Sequence, residues 1–90
     1  SAIDEISRYI NIDKDRLITK GIQSFLREKK RGIMLERLEI LSRHRVASKL
    51  ELENKIKKGE IEEHPAWEDL ILLENLEAEL ERIDGYIANL

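Results

Sequence analysis

The sequence predicts an all-α fold with a long N-terminal helix, a short middle helix and a C-terminal helix that carries a heptad pattern. Apolar residues recur at helical spacing within residues 13–44, a capping motif and a glycine bound residues 48–58, and leucines and isoleucines alternate in steps of three and four within residues 65–88. We therefore expect a single domain, residues 1–90, in which these helices form an antiparallel hairpin or bundle, and we expect it to dimerise.

The composition excludes several classes of protein. Hydrophobic residues make up 41% of the chain and charged residues 39%, which is too apolar for a disordered segment. No cysteine is present, which favours a cytoplasmic setting, and no apolar run approaches the roughly 18 residues that cross a bilayer. Because the chain also lacks a glycine-rich phosphate loop, paired histidines and a serine elbow, we expect no enzyme activity, cofactor, metal or small-molecule substrate.

The first ten residues predict a short helix. Ile3, Ile6 and Ile10 follow one another at helical spacing, which favours a helix over residues 3–10. The segment Arg8–Ile12 also alternates polar and apolar residues, a pattern typical of a brief strand. We favour the helix.

The long helix, residues 13–44, has a well-marked start and one apolar stripe. Asp13 is a suitable N-cap, and the stripe comprises Ile18, Ile22, Phe25, Leu26 and Ile33. Gly32 could end the helix in a left-handed cap, but helical character resumes at once, so we favour a continuous helix and leave open a bend. Such a rod would be about 48 Å long and must overhang its own core or meet a second chain.

Two sets of apolar residues are the predicted partner or dimer interface. Beyond Gly32 a second apolar side opens on the long helix, at Met34, Leu38 and Leu41. The C-terminal helix carries a heptad seam that should pack antiparallel to the long helix, within one chain or across a dimer. The seam residues in this interface are Leu73, Leu76, Leu80, Ile83 and Ile87.

The remaining signals mark helix ends. Ser48 and Glu51 form a capping box, Gly59 stops the middle helix, and Pro65 suits the first turn of the last helix. We expect His44 to interact with the C-terminus of the long helix and His64 to lie in a solvated capping region.

Charge is divided between the two halves of the chain. Residues 1–45 hold eleven Lys and Arg against seven Asp and Glu, a net +4, whereas residues 46–90 hold five against twelve, a net -7. The favoured interpretation is that a basic helix packs against an acidic one. The alternative is that Arg27, Lys29, Lys30 and Arg31 contact an anion or nucleic acid.

Several segments resemble a group of small archaeal proteins of antitoxin-like or uncharacterised type. The similarity lies in residues 13–18, in a V-x-S helix start at Val46–Ser48, and in the G-x-I-x-x-H-P-A-W-E-D pattern of residues 59–69. It covers most of residues 9–76. His44 and Arg45 depart from it, because such proteins often have Tyr-Gly there. The resemblance implies a non-catalytic helical protein whose partner is a small nuclease toxin.

The leading hypothesis is thus a helical protein-interaction module. The alternative is a DNA-binding regulator of ribbon-helix-helix type, in which Arg8–Ile12 would pair as a strand across a dimer and bind duplex in a salt-dependent manner. A third hypothesis is a structural subunit of a larger assembly.

Overall fold

A computed structural model describes all residues, 1–90, and contains four helices and no strand. The helices are α1 (Ala2–Ile10), α2 (Lys14–Arg43), α3 (Lys49–Lys57) and α4 (Glu63–Ala88). The predicted all-α class is confirmed. The alternating segment does not form a strand, because its first three residues are the last turn of α1.

Helix α1 is capped at both ends and joined to α2 by an ion pair. The Ser1 hydroxyl accepts a hydrogen bond from the Asp4 amide at 3.4 Å, and Asn11 ends the helix in a left-handed conformation (φ 55°). The Lys14 ammonium lies 3.3 Å from the Asp4 carboxylate. The hydrogen bond from Ser1 and, next, the one from Lys14 lower the pKa of Asp4, which therefore stays ionised further into the acid range.

Helix α2 is continuous through Gly32, as the sequence favoured. The Asp13 carboxylate caps it by accepting from the amides of Asp15 (3.2 Å) and Arg16 (3.4 Å). At 1.5 Å per residue, its 30 residues span roughly 45 Å.

A tight turn reverses the chain between α2 and α3. His44 is the C-cap of α2, Arg45 adopts a positive φ of 53°, and the Val46 amide donates to the Leu41 carbonyl at 3.1 Å. The capping box is only partly as expected. The Ser48 hydroxyl accepts from the amide of Glu51 (3.1 Å), but the Glu51 carboxylate accepts from the Ala47 amide (2.8 Å) rather than from that of Ser48.

Helix α3 ends where the sequence predicted, because Gly59 adopts the left-handed conformation (φ 71°) that stops it. His64 has extended dihedral angles (φ -113°, ψ 122°), so the regular part of α4 starts at Pro65.

Helices α2 and α4 pack antiparallel, and α3 covers one end of the pair. Three ion pairs cross the seam, namely Lys30 with Asp84 (2.7 Å), Arg37 with Glu77 (3.3 Å) and Arg43 with Asp69 (3.5 Å). They match the favoured interpretation of the charge division, a basic helix against an acidic one. Since four more residues complete α4 after Asp84, its last residue lies level with about residue 26 of α2.

The buried core is confined to the later part of the chain. Helix α3 supplies Leu52, which is fully covered, and Ile33 is the first buried residue in the sequence. The core comprises Ile33, Ile40, Leu41, Val46, Leu52, Ala66, Leu70, Leu73, Leu76 and Ile83.

The molecule is elongated, with extents of 61 × 21 × 18 Å. Its radius of gyration is 19.2 Å, whereas a compact chain of this length would have about 12 Å. We call Ser1–Phe25, which comprises α1 and the first part of α2 beyond the end of α4, the N-terminal overhang. None of the four helices combines the length and apolar character needed to cross a membrane.

Candidate protein-interaction surface

One apolar surface lies on the side of α2 that faces away from the core. Met34 is 47% exposed, Leu35 49% and Leu38 55%. Because a helix turns 100° per residue, these three side chains project away from Ile33 and Ile40, which pack against α4. Leu35 and Leu38 line a shallow depression with Glu39, Ser42 and Arg43. We call Met34, Leu35 and Leu38 the outer apolar face.

Leu41 does not belong to this face, although the sequence grouped it with Met34 and Leu38. Its side chain is only 3% exposed and lies in the core. The cause is the turn after α2, which returns the chain at this level and brings Val46 and Leu52 into the same cluster. Leu35, which the sequence analysis did not single out, is exposed in its place.

The heptad seam of α4 is occupied within the chain. Leu73, Leu76 and Ile83 are buried, and Leu80 and Ile87 are partly buried against the same core. Of the two arrangements that the sequence left open, the structure contains the intrachain one. Leu73, Leu76 and Ile83 are therefore covered within the hairpin, whereas Leu80 and Ile87 keep some exposed surface.

A second uncovered apolar stripe lies on the N-terminal overhang. Ile18 is 41% exposed, Ile22 44% and Phe25 70%. Helix α1 adds Ile3, Ile6 and Ile10, each at least 41% exposed, and has no buried residue. The sequence predicted this stripe and a helix too long for its own core, but not that the uncovered part would be the N-terminal one.

The four basic residues of α2 have separate surroundings. Lys30 pairs with Asp84 across the seam, and the Arg31 guanidinium donates to both carboxylate oxygens of Glu28, with its closest contact at 2.6 Å. This contact lowers the pKa of Glu28 and raises the pKa of Arg31. Arg27 and Lys29 are exposed without an ion pair, so the structure does not gather the four into one anion site.

The polar side of α2 contains an open groove lined by charged and hydroxyl side chains. The lining residues are Lys20, Gln23, Ser24, Arg27, Glu28 and Arg31. No hydrophobic residue lines this groove.

The ribbon-helix-helix alternative requires a strand at residues 8–12. Those residues form the end of α1 and the following turn.

Comparison with known proteins identifies the family of the chain. The sequence model of the Uncharacterized protein MJ0235 family matches residues 2–90. The chain belongs to that family. The resemblance to an uncharacterised archaeal family is thereby confirmed. No curated protein and no solved structure matches the chain.

In this member of the MJ0235 family, the motifs that carried the resemblance serve as caps and turns. Ser48 caps α3, Gly59 stops it and Ala66 is buried in the core. These three residues stabilise the fold, and their positions do not indicate an activity.

A pair of side chains that the sequence analysis missed lies near the turn. The His44 imidazole nitrogen Nε2 is 2.7 Å from the Asp69 carboxylate, and the two side chains are 14% and 16% exposed. This contact joins the end of α2 to α4.

The other histidine, His64, is exposed and lies 3.5 Å from Glu68. No group of three or more His, Asp or Glu side chains is arranged to hold a metal ion.

Proposed function

We propose that this chain is a non-catalytic helical protein-interaction module that acts in the cytoplasm. One observation carries the proposal: Met34, Leu35 and Leu38 are neighbours on one side of α2, and each is at least 47% exposed. Soluble monomers rarely leave contiguous apolar surface uncovered, and extended patches of this kind usually mark binding sites.

The outer apolar face is the proposed docking surface for a partner protein. Leu38 is the most exposed of its three residues and lines the depression next to Glu39 and Arg43. An apolar centre with charged residues at its edge is the usual composition of a protein-protein interface. A partner helix with its own apolar stripe would fit a face of this shape.

The partner class follows from the resemblance. Proteins of antitoxin-like type bind a small nuclease, and we extend the proposal to such a toxin. Self-association, which the sequence also predicts, is a separate prediction from this partner.

The test is capture of the partner from native-host lysate by tagged wild-type chain and by Leu38→Glu. The variant places a charge at the centre of the outer apolar face and should abolish capture, because a buried unpaired carboxylate is unfavourable in an interface. Leu50→Glu is the matched control, since Leu50 is 64% exposed on α3, and it should capture the partner as the wild type does.

Equal capture by wild type and Leu38→Glu would contradict the proposed surface. If a captured protein is a nuclease, its activity should fall when the wild-type chain is added in equimolar amount. A nuclease that stays fully active would contradict the antitoxin-like role.

A further inference from the structure

The outer apolar face continues, toward the N-terminus of α2, into the open polar groove. Arg31 lies four residues before Leu35 and seven before Leu38, so its side chain is on the same side of α2 as both. Arg27 lies four residues further back and lines the groove together with Arg31. Because α2 is continuous across Gly32, the groove and the outer apolar face form one surface.

This surface is a stripe that runs along about 33 Å of α2, from residue 20 to residue 42. It lies on the side of α2 that faces away from Ile33 and Ile40, which are buried. We call it the outward stripe. Its members recur in steps of three, four and seven, and the exposed ones include Lys20, Ser24, Arg27, Arg31, Leu38 and Ser42.

The polar half of the outward stripe carries uncompensated positive charge. The Arg31 guanidinium is neutralised by Glu28, whose carboxylate is 2.6 Å away. Lys20 and Arg27 are exposed and form no ion pair, and they are seven residues, about two turns, apart on the same side of the helix. The other half of the stripe, the outer apolar face, offers apolar side chains. The stripe therefore changes from basic to apolar along its length.

We infer that the partner of the outward stripe is an amphipathic helix with an acidic half and an apolar half. This inference rests on the proposed function and names the chemistry of the partner that the outer apolar face binds. The apolar half covers Leu38 and its neighbours. The acidic half lies along the groove, where two carboxylates seven residues apart in the partner come beside Lys20 and Arg27.

Nucleic acid fits the outward stripe less well than such a helix. Glu28 places a carboxylate in the groove, so only two cations there are free. A DNA duplex carries one negative charge about every 1.7 Å and offers no apolar stripe to cover Leu38, which is 55% exposed. A helix that changes from acidic to apolar matches both halves of the surface.

The test is fluorescence anisotropy of a labelled synthetic peptide, titrated with the full chain at about 150 mM salt. The peptide has about 21 residues in three heptads, with glutamates on one side of its first half and leucines on the same side of its second half. Carboxylates in the first turns also stabilise the peptide helix. A second peptide has glutamine in place of each of these glutamates. The glutamate peptide should bind the wild-type chain at least about 5-fold more tightly.

Arg27→Glu should weaken binding of the glutamate peptide by roughly 10-fold, because it replaces an attraction by a repulsion, and should change binding of the glutamine peptide by less than about 2-fold. Lys29→Glu is the matched control. It makes the same change of charge two residues away, but Lys29 projects from the opposite side of α2. It should change binding of either peptide by less than about 2-fold.

Leu38→Glu should weaken binding of both peptides, because both carry the leucines that cover Leu38. Arg27, Lys29 and Leu38 are all exposed, so circular dichroism should show that the three variants are folded.

Equal binding of the two peptides, or equal effects of Arg27→Glu and Lys29→Glu, would overturn the inference. No binding of the glutamate peptide at about 500 µM chain, or unchanged binding to Leu38→Glu, would also overturn it. So would a DNA duplex of about 20 base pairs that binds more tightly than the peptide and is released by Arg27→Glu, because the groove would then bind phosphate. The proposed function fails separately, when Leu38→Glu still captures the partner. The two failures are therefore distinguishable.

Discussion

Arg45 has a left-handed backbone in the turn between α2 and α3. Its φ of 53° is unfavourable for a residue with a Cβ atom, by roughly 1 kcal/mol or more, whereas glycine adopts it freely. The turn nevertheless forms here with arginine. The Val46 amide still bonds to the Leu41 carbonyl, so the turn is held by backbone hydrogen bonds.

Arg45→Gly should therefore stabilise the fold by about 1 kcal/mol, because it removes the strain at this φ. The measurement is urea denaturation followed by circular dichroism. Arg45→Ala is the control, because it removes the same charge but keeps the Cβ atom, and its stability should match that of the wild type. Equal stabilisation by both substitutions would show that the side chain, and not the backbone, is the cause.

The contact between His44 and Asp69 illustrates what single-residue reasoning could not predict. The two residues are 25 positions apart, and only the packing of α2 on α4 brings them within hydrogen-bond distance. The sequence correctly placed His44 at the end of α2, because a helix terminus is a local feature. Its partner depends on the register between two helices, which no local pattern encodes.

The seam of α4 is the element on which the hairpin depends. Leu73 is completely buried at its centre, and its neighbour Leu72 is 37% exposed on another side of the same helix. Truncation of a fully buried leucine removes contacts and leaves a cavity, whereas truncation of a partly exposed one removes fewer contacts and leaves no enclosed cavity.

Leu73→Ala should reduce the free energy of unfolding by about 2–5 kcal/mol, a large part of the stability of a domain this small. Leu72→Ala should reduce it by less than about 1 kcal/mol. Both values can be read from urea denaturation of the two variants. Similar losses from the two substitutions would mean that the packing register of α4 differs from the one described.

The elements themselves were largely predictable, because their signals are local. Asp13, Ser48 and Gly59 mark helix ends through hydrogen bonds and backbone conformation within a few residues. Gly32 lies in open space within α2 and does not interrupt it. Leu41 was misassigned because its burial depends on the returning chain after α2, which periodicity within one helix does not reveal.

At the scale of the whole molecule, the chain divides into a packed hairpin and an uncovered extension. All ten buried residues lie at or after Ile33, so the N-terminal overhang contributes nothing to the core of a single copy. The overlength of α2 was predictable from its residue count. Which part of it would overhang was not, because that depends on where α4 ends beside it.

Removal of the overhang, residues 1–25, should therefore leave a chain that still folds. We expect the truncated chain to melt cooperatively within a few degrees of the full-length chain, because every core residue remains. Its helical circular dichroism signal per mole of chain should fall by roughly a quarter, which is the share of helical residues removed. The measurement is thermal circular dichroism.

The control is a shorter deletion at the other end of the chain. Removal of Leu80–Leu90 takes away fewer than half as many residues but includes the buried Ile83 and the partly buried Leu80 and Ile87. A segment stabilises the fold through the apolar surface it buries and not through its length. This deletion should therefore lower the melting temperature far more than loss of the overhang. If the N-terminal deletion instead abolished cooperative melting, the overhang would be part of the folding unit, and its apolar stripe would not be free surface.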